Sequence, residues 1–448
     1  GNWSKNIYSK IDFTRVSDIN YFQDLNSQNL AINRKSHLNQ NASINYYNDN
    51  LAAGISIQHY QYLLNLNSHQ KIEKLPSWFL KYESNRLYFK PDYKFEIRQA
   101  NFSKEFEADT LRNFGEISFN FPMRWRGIEL KPNIGLEYLS YEVDSSPSNN
   151  NQKIKRSITS TKNQLEVNLA FIKDAINPNL IDIKLSYMNR KSNRKNIIGE
   201  YFDSEWLNFN DNYFSDQVPF SGYDIHLDSH YISALISHSL LDSYGNKKII
   251  TKIGQIHYFS DRDENPSWIR NEENRSPIYA EFEMARAGNW KAFASSSINE
   301  RNSKIDEGHL ILNYKNDKSK PMIFNIGYHY RNIIEEKNSY NPKINQTDLS
   351  LIKPLNSKWS IMGRYSYDNE LKRDNELLSG VSYNSCCYSI SIIYRDTILK
   401  SFSGGLPSRD KSIYLKFDLK GLFGVGGKMN KIINRSIEGF GEDNQEYF

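Results

Sequence analysis

Ile117-Ser118-Phe119-Asn120-Phe121-Pro122-Met123-Arg124-Trp125 decides how this chain is read. The odd positions Ile117, Phe119, Phe121, Met123 and Trp125 are apolar, while the even ones run Glu116, Ser118, Asn120, Pro122 and Arg124. Side chains alternate across a strand, so this is a strand lying between two different solvents. The alternation returns at Leu165, Val167, Leu169 and Phe171 against Gln164, Glu166 and Asn168. It returns again at Ile181, Ile183, Leu185 and Tyr187, and near the end at Ile413, Leu415, Phe417 and Leu419.

Turn-rich stretches separate these runs, at Asp144 to Asn151, Asn208 to Asp216, Asp261 to Ser267 and Glu335 to Gln346. No helical periodicity lasts longer than a turn or two. Strand-plus-turn units of about 17 residues fit roughly two dozen times into 448 residues. Two all-β architectures carry such a pattern. A soluble sandwich buries the apolar face against a second layer, whereas a membrane barrel turns it to lipid and keeps a polar lumen without open edges. Aromatics at strand ends, Tyr138, Tyr141, Tyr258, Phe259, Tyr365 and Tyr367, suit the interfacial girdles of a barrel.

Composition narrows the function classes. Hydrophobic residues make up 38%, and no run approaches the ~20 apolar residues of a spanning helix; Tyr231 to Leu241 is interrupted by Ser233, Ser237, His238 and Ser239. Aromatic content of 14% excludes a disordered chain despite the abundant Asn, Ser and Lys. The net charge of +5 is spread along the sequence and argues against nucleic acid as a partner. Gly-x-Ser-x-Gly, His-Glu-x-x-His and phosphate-binding glycine loops are all missing, so no enzymatic role, catalytic residue or cofactor is assigned. His238, His257 and His329 lack metal-ligand spacing and are expected to be satisfied or lumen-facing. A barrel of this size has a wide interior, and the longest weakly patterned stretch, Lys191 to Asp228, is too short for a plug domain. A separate protein is therefore expected to fill the lumen.

Several segments, in order, resemble the LptD family of lipopolysaccharide-assembly proteins. They are Asp12-Phe13-Thr14-Arg15-Val16-Ser17-Asp18 with Tyr21-Phe22-Gln23-Asp24, then Phe202-Asp203-Ser204 with Phe220-Ser221-Gly222-Tyr223-Asp224. Gly254-Gln255-Ile256-His257-Tyr258-Phe259 and Gly380-Val381-Ser382-Tyr383-Asn384-Ser385-Cys386-Cys387-Tyr388 follow. The chain departs from the family pattern at Ile19 and Ile225. The resemblance implies a large antiparallel transmembrane β-barrel of the bacterial outer membrane, covering residues 1–448, with the family's N-terminal periplasmic domain absent from this fragment. It also implies a translocon that inserts lipopolysaccharide into the outer leaflet through the lumen and a lateral seam. The partners implied are the outer-membrane bilayer, an LptE-like plug lipoprotein, and an LptA-like bridge reached through the missing domain. The rival readings are a passive porin-like channel, a surface adhesin and a barrel enzyme.

Candidate residues follow. Cys386 and Cys387, read as lying in a strand with side chains on opposite faces, match a family pair that links barrel to periplasmic domain by disulfides. The alternative is two small hydrophobes brought together by chance. The seam is expected where Ile7 to Val16 meets Lys411 to Phe423, with Ile11, Phe13, Leu415, Phe417 and Gly421 as its candidates. Gly421, Gly424, Gly426 and Gly427 loosen that end, or simply form an ordinary terminal turn. Phe119 and Phe121 are expected to face lipid. Arg190, Lys191, Arg194 and Lys195 form a basic loop cluster able to contact lipopolysaccharide phosphates, as do Lys153, Lys155 and Arg156, although such runs are more often solvated loops.

Overall fold

The computed structural model describes residues 3–13, 37–62, 72–84, 91–104, 108–144, 154–173, 178–193, 202–204, 209–216, 222–224, 228–260, 274–300, 302–316, 320–332, 343–399, 408–419, 423–425, 433 and 436–440. Among the described residues, twenty-two strands, from β1 (Ile7–Phe13) to β22 (Phe423–Val425), form one antiparallel sheet. Each strand pairs with its sequence neighbour, except where β6 (Thr110–Asn120) and the short β7 (Met123–Trp125) both pair with β8 (Ile128–Val143). This is the large antiparallel barrel wall that the resemblance implies.

Pairing stacks the apolar residues of successive strands into a belt on one face. Ile117 opposes Leu136 and Phe119 opposes Ile134. Further along, β9 (Ile154–Lys173), β10 (Asn179–Ser192) and β11 (Ser229–Leu241) carry Leu165 opposite Tyr187 opposite Ile232. The belt ends with Ile390 against Phe417 and Ile392 against Leu415. These belt side chains are exposed, Phe119 and Phe121 among them. Cross-strand aromatic contacts rim the belt at both ends. Tyr187, His230, Phe259 and His257 touch at one end, and Trp290–Tyr314 and Trp359–Tyr383 at the other. Such girdles are what a barrel places at bilayer interfaces.

The opposite face is the lumen, because it carries the segments that fold back onto the wall. Tyr141 and Tyr258, expected in the girdles, belong to this inner face: Tyr141 is buried, and Tyr258 packs partly buried against an inner cluster. Parity is the reason, since Tyr141 is three residues from the outward Tyr138 and so points the other way.

The two rims differ. The connections at 14–36, 193–228 and 259–277 all leave one rim, while turns such as 48–50, 288–289 and 385–387 close the other. Bacterial barrels keep short turns at the periplasmic side and long loops outside. The turn between β19 (Arg373–Asn384) and β20 (Tyr388–Leu399) holds Cys386 and Cys387, both exposed. They therefore do not lie in a strand on opposite faces. The Ser385 amide donates to the Tyr388 carbonyl at 2.8 Å, closing a tight turn that swings both Sγ atoms to within 2.8 Å of each other.

Candidate functional site

The inner wall and the two sheet edges carry the candidate site residues. Among the described residues, two stretches insert against the wall. The first lies in the 193–228 connection, whose described parts are residues 202–204, 209–216 and 222–224. Although too short for a domain, this stretch covers wall on both sides of β8. Its single helical turn α1 (Tyr213–Asp216) seats Phe214, fully buried, against Met188, Tyr231, Leu235, Ile256 and Tyr279. Gly254 permits this, because a Cβ there would stand 2.7 Å from the Phe214 ring. Lys252 on the wall clamps the same part, pairing with Asp211 at 2.7 Å and with Glu281 at 2.8 Å.

Charge dominates the second anchor of this stretch. Arg112 on β6 points into the lumen at 3% exposure and forks onto Asp203, with Nη2 2.9 Å from Oδ2. Its Nη1 also donates to Asp224, whose side chain is 1% exposed. Lys74 on β4 (Ile72–Glu83) reaches Asp203 at 2.8 Å, and the Tyr141 hydroxyl donates to Asp224 at 2.9 Å. The other Asp224 oxygen accepts the amides of Phe202 and Asp203 at 2.9 and 2.8 Å, tying the two strips of loop together. Gly222, at φ +77°, allows the crossing, since a Cβ there would meet the Asp203 carbonyl at 2.5 Å.

Aromatic rings surround these charges. Phe202 stacks on Phe102 at 4.6 Å, Tyr223 packs on Phe114 at 4.7 Å, and Arg112 lies over Phe102 at 4.8 Å. Burial raises the Asp203 carboxyl, but hydrogen bonds and charge from Arg112, with Lys74, outweigh it and hold the group well below the usual carboxylate range. Burial and the nearby Glu96 carboxylate push the Tyr223 hydroxyl up to about 12.

The C-terminal stretch inserts by a different route. Ile433, Ile437 and Phe440 pack on Ile323, Ile352, Met362, Leu378 and Ile393, which line the inner wall toward the last strands. Lys315 also donates to the Gly439 carbonyl and Asn325 to that of Glu438, each at 3.0 Å.

Strand β1 pairs with β2 (His37–Tyr47), and β21 (Ser408–Leu419) pairs with β20 and the three-residue β22. Among the described residues no ladder joins β1 to β21 or β22. Ile11, Phe13 and Leu415 are exposed at 77%, 64% and 65%, and Phe417 is exposed beside them on β21. Gly421 and residues 14–16 lie outside the described residues.

The basic cluster is not a loop where it is described. Arg190 and Lys191 end strand β10, and Arg190 is committed to Glu137 on the inner wall at 2.8 Å. Lys191 is exposed, whereas Arg194, Lys195 and Lys153 lie outside the described residues. Lys155 pairs with Glu142. His238 contacts Asn179 at 3.0 Å, His329 stacks on His309 inside, and His257 is exposed at the girdle. The residues that sequence reasoning missed are Lys74, Arg112 and the inward Phe102 and Phe114. Their signal was the apolar and charged parity itself: Phe114, Leu139 and Tyr141 sit on a face that should have been polar throughout.

Comparison with known proteins follows from this architecture. The family described as LptD, LPS transport system D, matches residues 1–392. An LPS-assembly protein LptD of Saccharophagus degradans is 24% identical over 99% of this chain and 54% of its own length. A protein of the same name from Pseudomonas putida is 24% identical over 100% of this chain and 56% of its own. The chain thus spans about half the length of these relatives. The siderophore receptor PirA from Acinetobacter baumannii overlays with a TM-score of 0.41 at 9% identity, covering 93% of this chain and 74% of that one, too slight a likeness to bear on function.

Proposed function

Because the chain belongs to the LptD family, we propose that it forms the outer-membrane barrel of a lipopolysaccharide translocon, delivering the glycolipid to the outer leaflet through the lumen and a lateral seam. Residues 1–448 are assigned to that barrel. The observation that carries the reading is the contrast between the two faces meeting at the edges. An exposed apolar belt runs to Ile11 and Leu415, while the other face is lined by ion pairs such as Lys252–Glu281 and Arg331–Glu307. Hydrophilic sugars suit the charged lumen. Acyl chains gain ~0.8 kcal/mol per methylene on entering the bilayer, so release at the edge is downhill. The lipid-facing role of Phe119 and Phe121 belongs to the same reading.

Insertion of two chain segments against the wall disfavours a passive open pore. A plug lipoprotein of LptE type would fill what remains of the lumen, and an LptA-like bridge would feed the full-length protein from the periplasm. Cys386 and Cys387, on the short-turn rim, would pair with cysteines of a periplasmic domain in that longer protein. The exposed Lys191 is the described member of the basic cluster left to meet lipopolysaccharide phosphates at the long-loop rim, with Arg190 engaged by Glu137 and Arg194 and Lys195 beside them in sequence.

The test is photo-crosslinking in cells, using the full-length protein with a crosslinker at Ser295 on the inner wall. A lipopolysaccharide adduct at Ser295 is expected. Steady ion conductance without any adduct would return the protein to the porin class.

A further inference from the structure

Lys74 and Arg112 are cations of the wall whose carboxylate partners among the described residues, Asp203 and Asp224, lie on the inserted stretch. Their neighbours differ. Lys94 and Arg98 pair with Glu96 and Glu116, which belong to the wall itself. Lifting residues 202–204 and 222–224 away would therefore leave the wall's own charges balanced around Lys94 and Arg98, and uncover two cations at Lys74 and Arg112. Beside those cations lie the Phe102 ring and the Tyr141 hydroxyl.

The inserted residues match that socket group by group. The Phe202 ring stacks on Phe102 at 4.6 Å, and the next residue, Asp203, supplies two oxygens to the Arg112 fork and one to Lys74. A flat apolar face joined to an oxyanion is also the outline of a phosphorylated sugar. Arg binds phosphate and carboxylate with the same bidentate fork, and an aromatic face accepts the C–H surface of a sugar ring.

We propose that Lys74, Phe102, Arg112 and Tyr141 form a phosphorylated-sugar site at the long-loop mouth of the lumen, and that Phe202, Asp203 and Asp224 occupy it as an internal mimic. The assignment rests on the transport reading, because it gives the lipopolysaccharide phosphates a landing point on the wall. The ligand's phosphate takes the place of the Asp203 carboxylate on Arg112 and Lys74, its sugar ring takes the place of Phe202, and the loop strips leave the wall. Substrate in the mouth and loop on the wall are then mutually exclusive.

The experiment uses the full-length protein with its natural partners in detergent, and reads amide hydrogen exchange at 202–204 and 222–224. Glucosamine 1-phosphate is titrated against glucosamine, inorganic phosphate and sodium chloride at matched ionic strength. The phosphosugar is expected to speed exchange in both strips, with glucosamine and chloride inert. A response to inorganic phosphate equal to that of the phosphosugar would remove the sugar from the proposal. Protection unchanged by any of them would overturn it. In a second arm, Asp203→Asn is expected to bind the phosphosugar at least about tenfold more tightly, and Arg112→Gln to abolish binding. Should Arg112→Gln fail to fold, the wild-type titration still decides. A lipopolysaccharide adduct at Ser295 alongside unresponsive loop strips would sink this site and leave the transport reading standing.

Discussion

Among the described residues two stretches cover the inner wall, and the charged strips of one are held by different physics from the other. The strips 202–204 and 222–224 grip the wall near β6 and β8 through Arg112, Lys74, Asp203 and Asp224, with aromatic rings as packing, while Phe214 between them seats in an apolar cluster. Residues 433 and 436–440 grip the wall of the late strands through Ile433, Ile437 and Phe440, with Lys315 and Asn325 donating to the Gly439 and Glu438 carbonyls. A contact made of charges can be contested by another anion and answers to pH. A contact made of apolar surface answers to neither, and is released only by mechanical or thermal opening. The strips near the long-loop rim are thus held by contacts that another anion can contest, while the inner wall near the late strands is covered by contacts that it cannot.

That comparison breaks most sharply at Arg112. Arg112→Ala leaves Asp224 buried without its cation, at an expected cost of about 3–5 kcal/mol to local stability. Hydrogen exchange at 202–204 should rise steeply while 436–440 stays protected. Equal loss at both sites would mean that the two insertions are one cooperative unit. The converse is Ile437→Ala, which removes fully buried apolar volume and should cost about 2–4 kcal/mol at 436–440 alone. Salt should leave that loss unaltered, and a salt-dependent result would show hidden electrostatics at the apolar contact.

A smaller effect is expected at Gly222→Ala. The positive φ and the close Asp203 carbonyl make the substitution strained by about 1–2 kcal/mol, felt at the charged contact only. Thermal melts followed by Trp fluorescence should barely move, whereas protease sensitivity of the loop should increase.

The mildest test is pH. Asp203 is depressed in the folded chain, so its contribution is present above the unfolded value of about 3.9 and fades as pH falls toward the folded one. Tyr223 is raised to about 12, so its contribution is present below the unfolded value of about 10 and is lost as pH climbs through the folded one. The charged insertion should hold steady between these limits and loosen outside them, with the C-terminal one indifferent throughout. Exchange rates corrected for intrinsic pH dependence measure this.

Cysteine chemistry tests the rims of the same barrel. In the full-length protein, mass mapping of non-reduced peptides should find Cys386 and Cys387 in bonds to a periplasmic segment. Recovery of both as thiols would leave the short-turn rim without that tether.

How much of this was legible depended on sequence separation. The run from Ile117 to Trp125 carried its own proof, because alternation is a local property of an extended backbone, and the belt it implied is exposed in the fold. Tyr141 was misjudged from its place at a strand end, although its parity relative to Tyr138 already pointed inward. The apolar pairs Leu377-Leu378 and Ile392-Ile393 also held a signal. A strand with apolar neighbours on both faces needs cover on both, and the C-terminal stretch supplies it to Leu378 and Ile393. The pairing of Arg112 with Asp203 and Asp224 was beyond reach, since those acids stand 91 and 112 residues away on a loop.

The sequence by itself determined the strand count class, the apolar outer face and the family, since each follows from residues close in the chain or from motifs held in order. Only the tertiary structure decided which loop returns to the lumen, that the cysteines share a turn, and which cations the wall lends to its own insert. Those depend on closing long loops onto distant strands, where the geometry of the sheet, and not the local pattern, selects the partner.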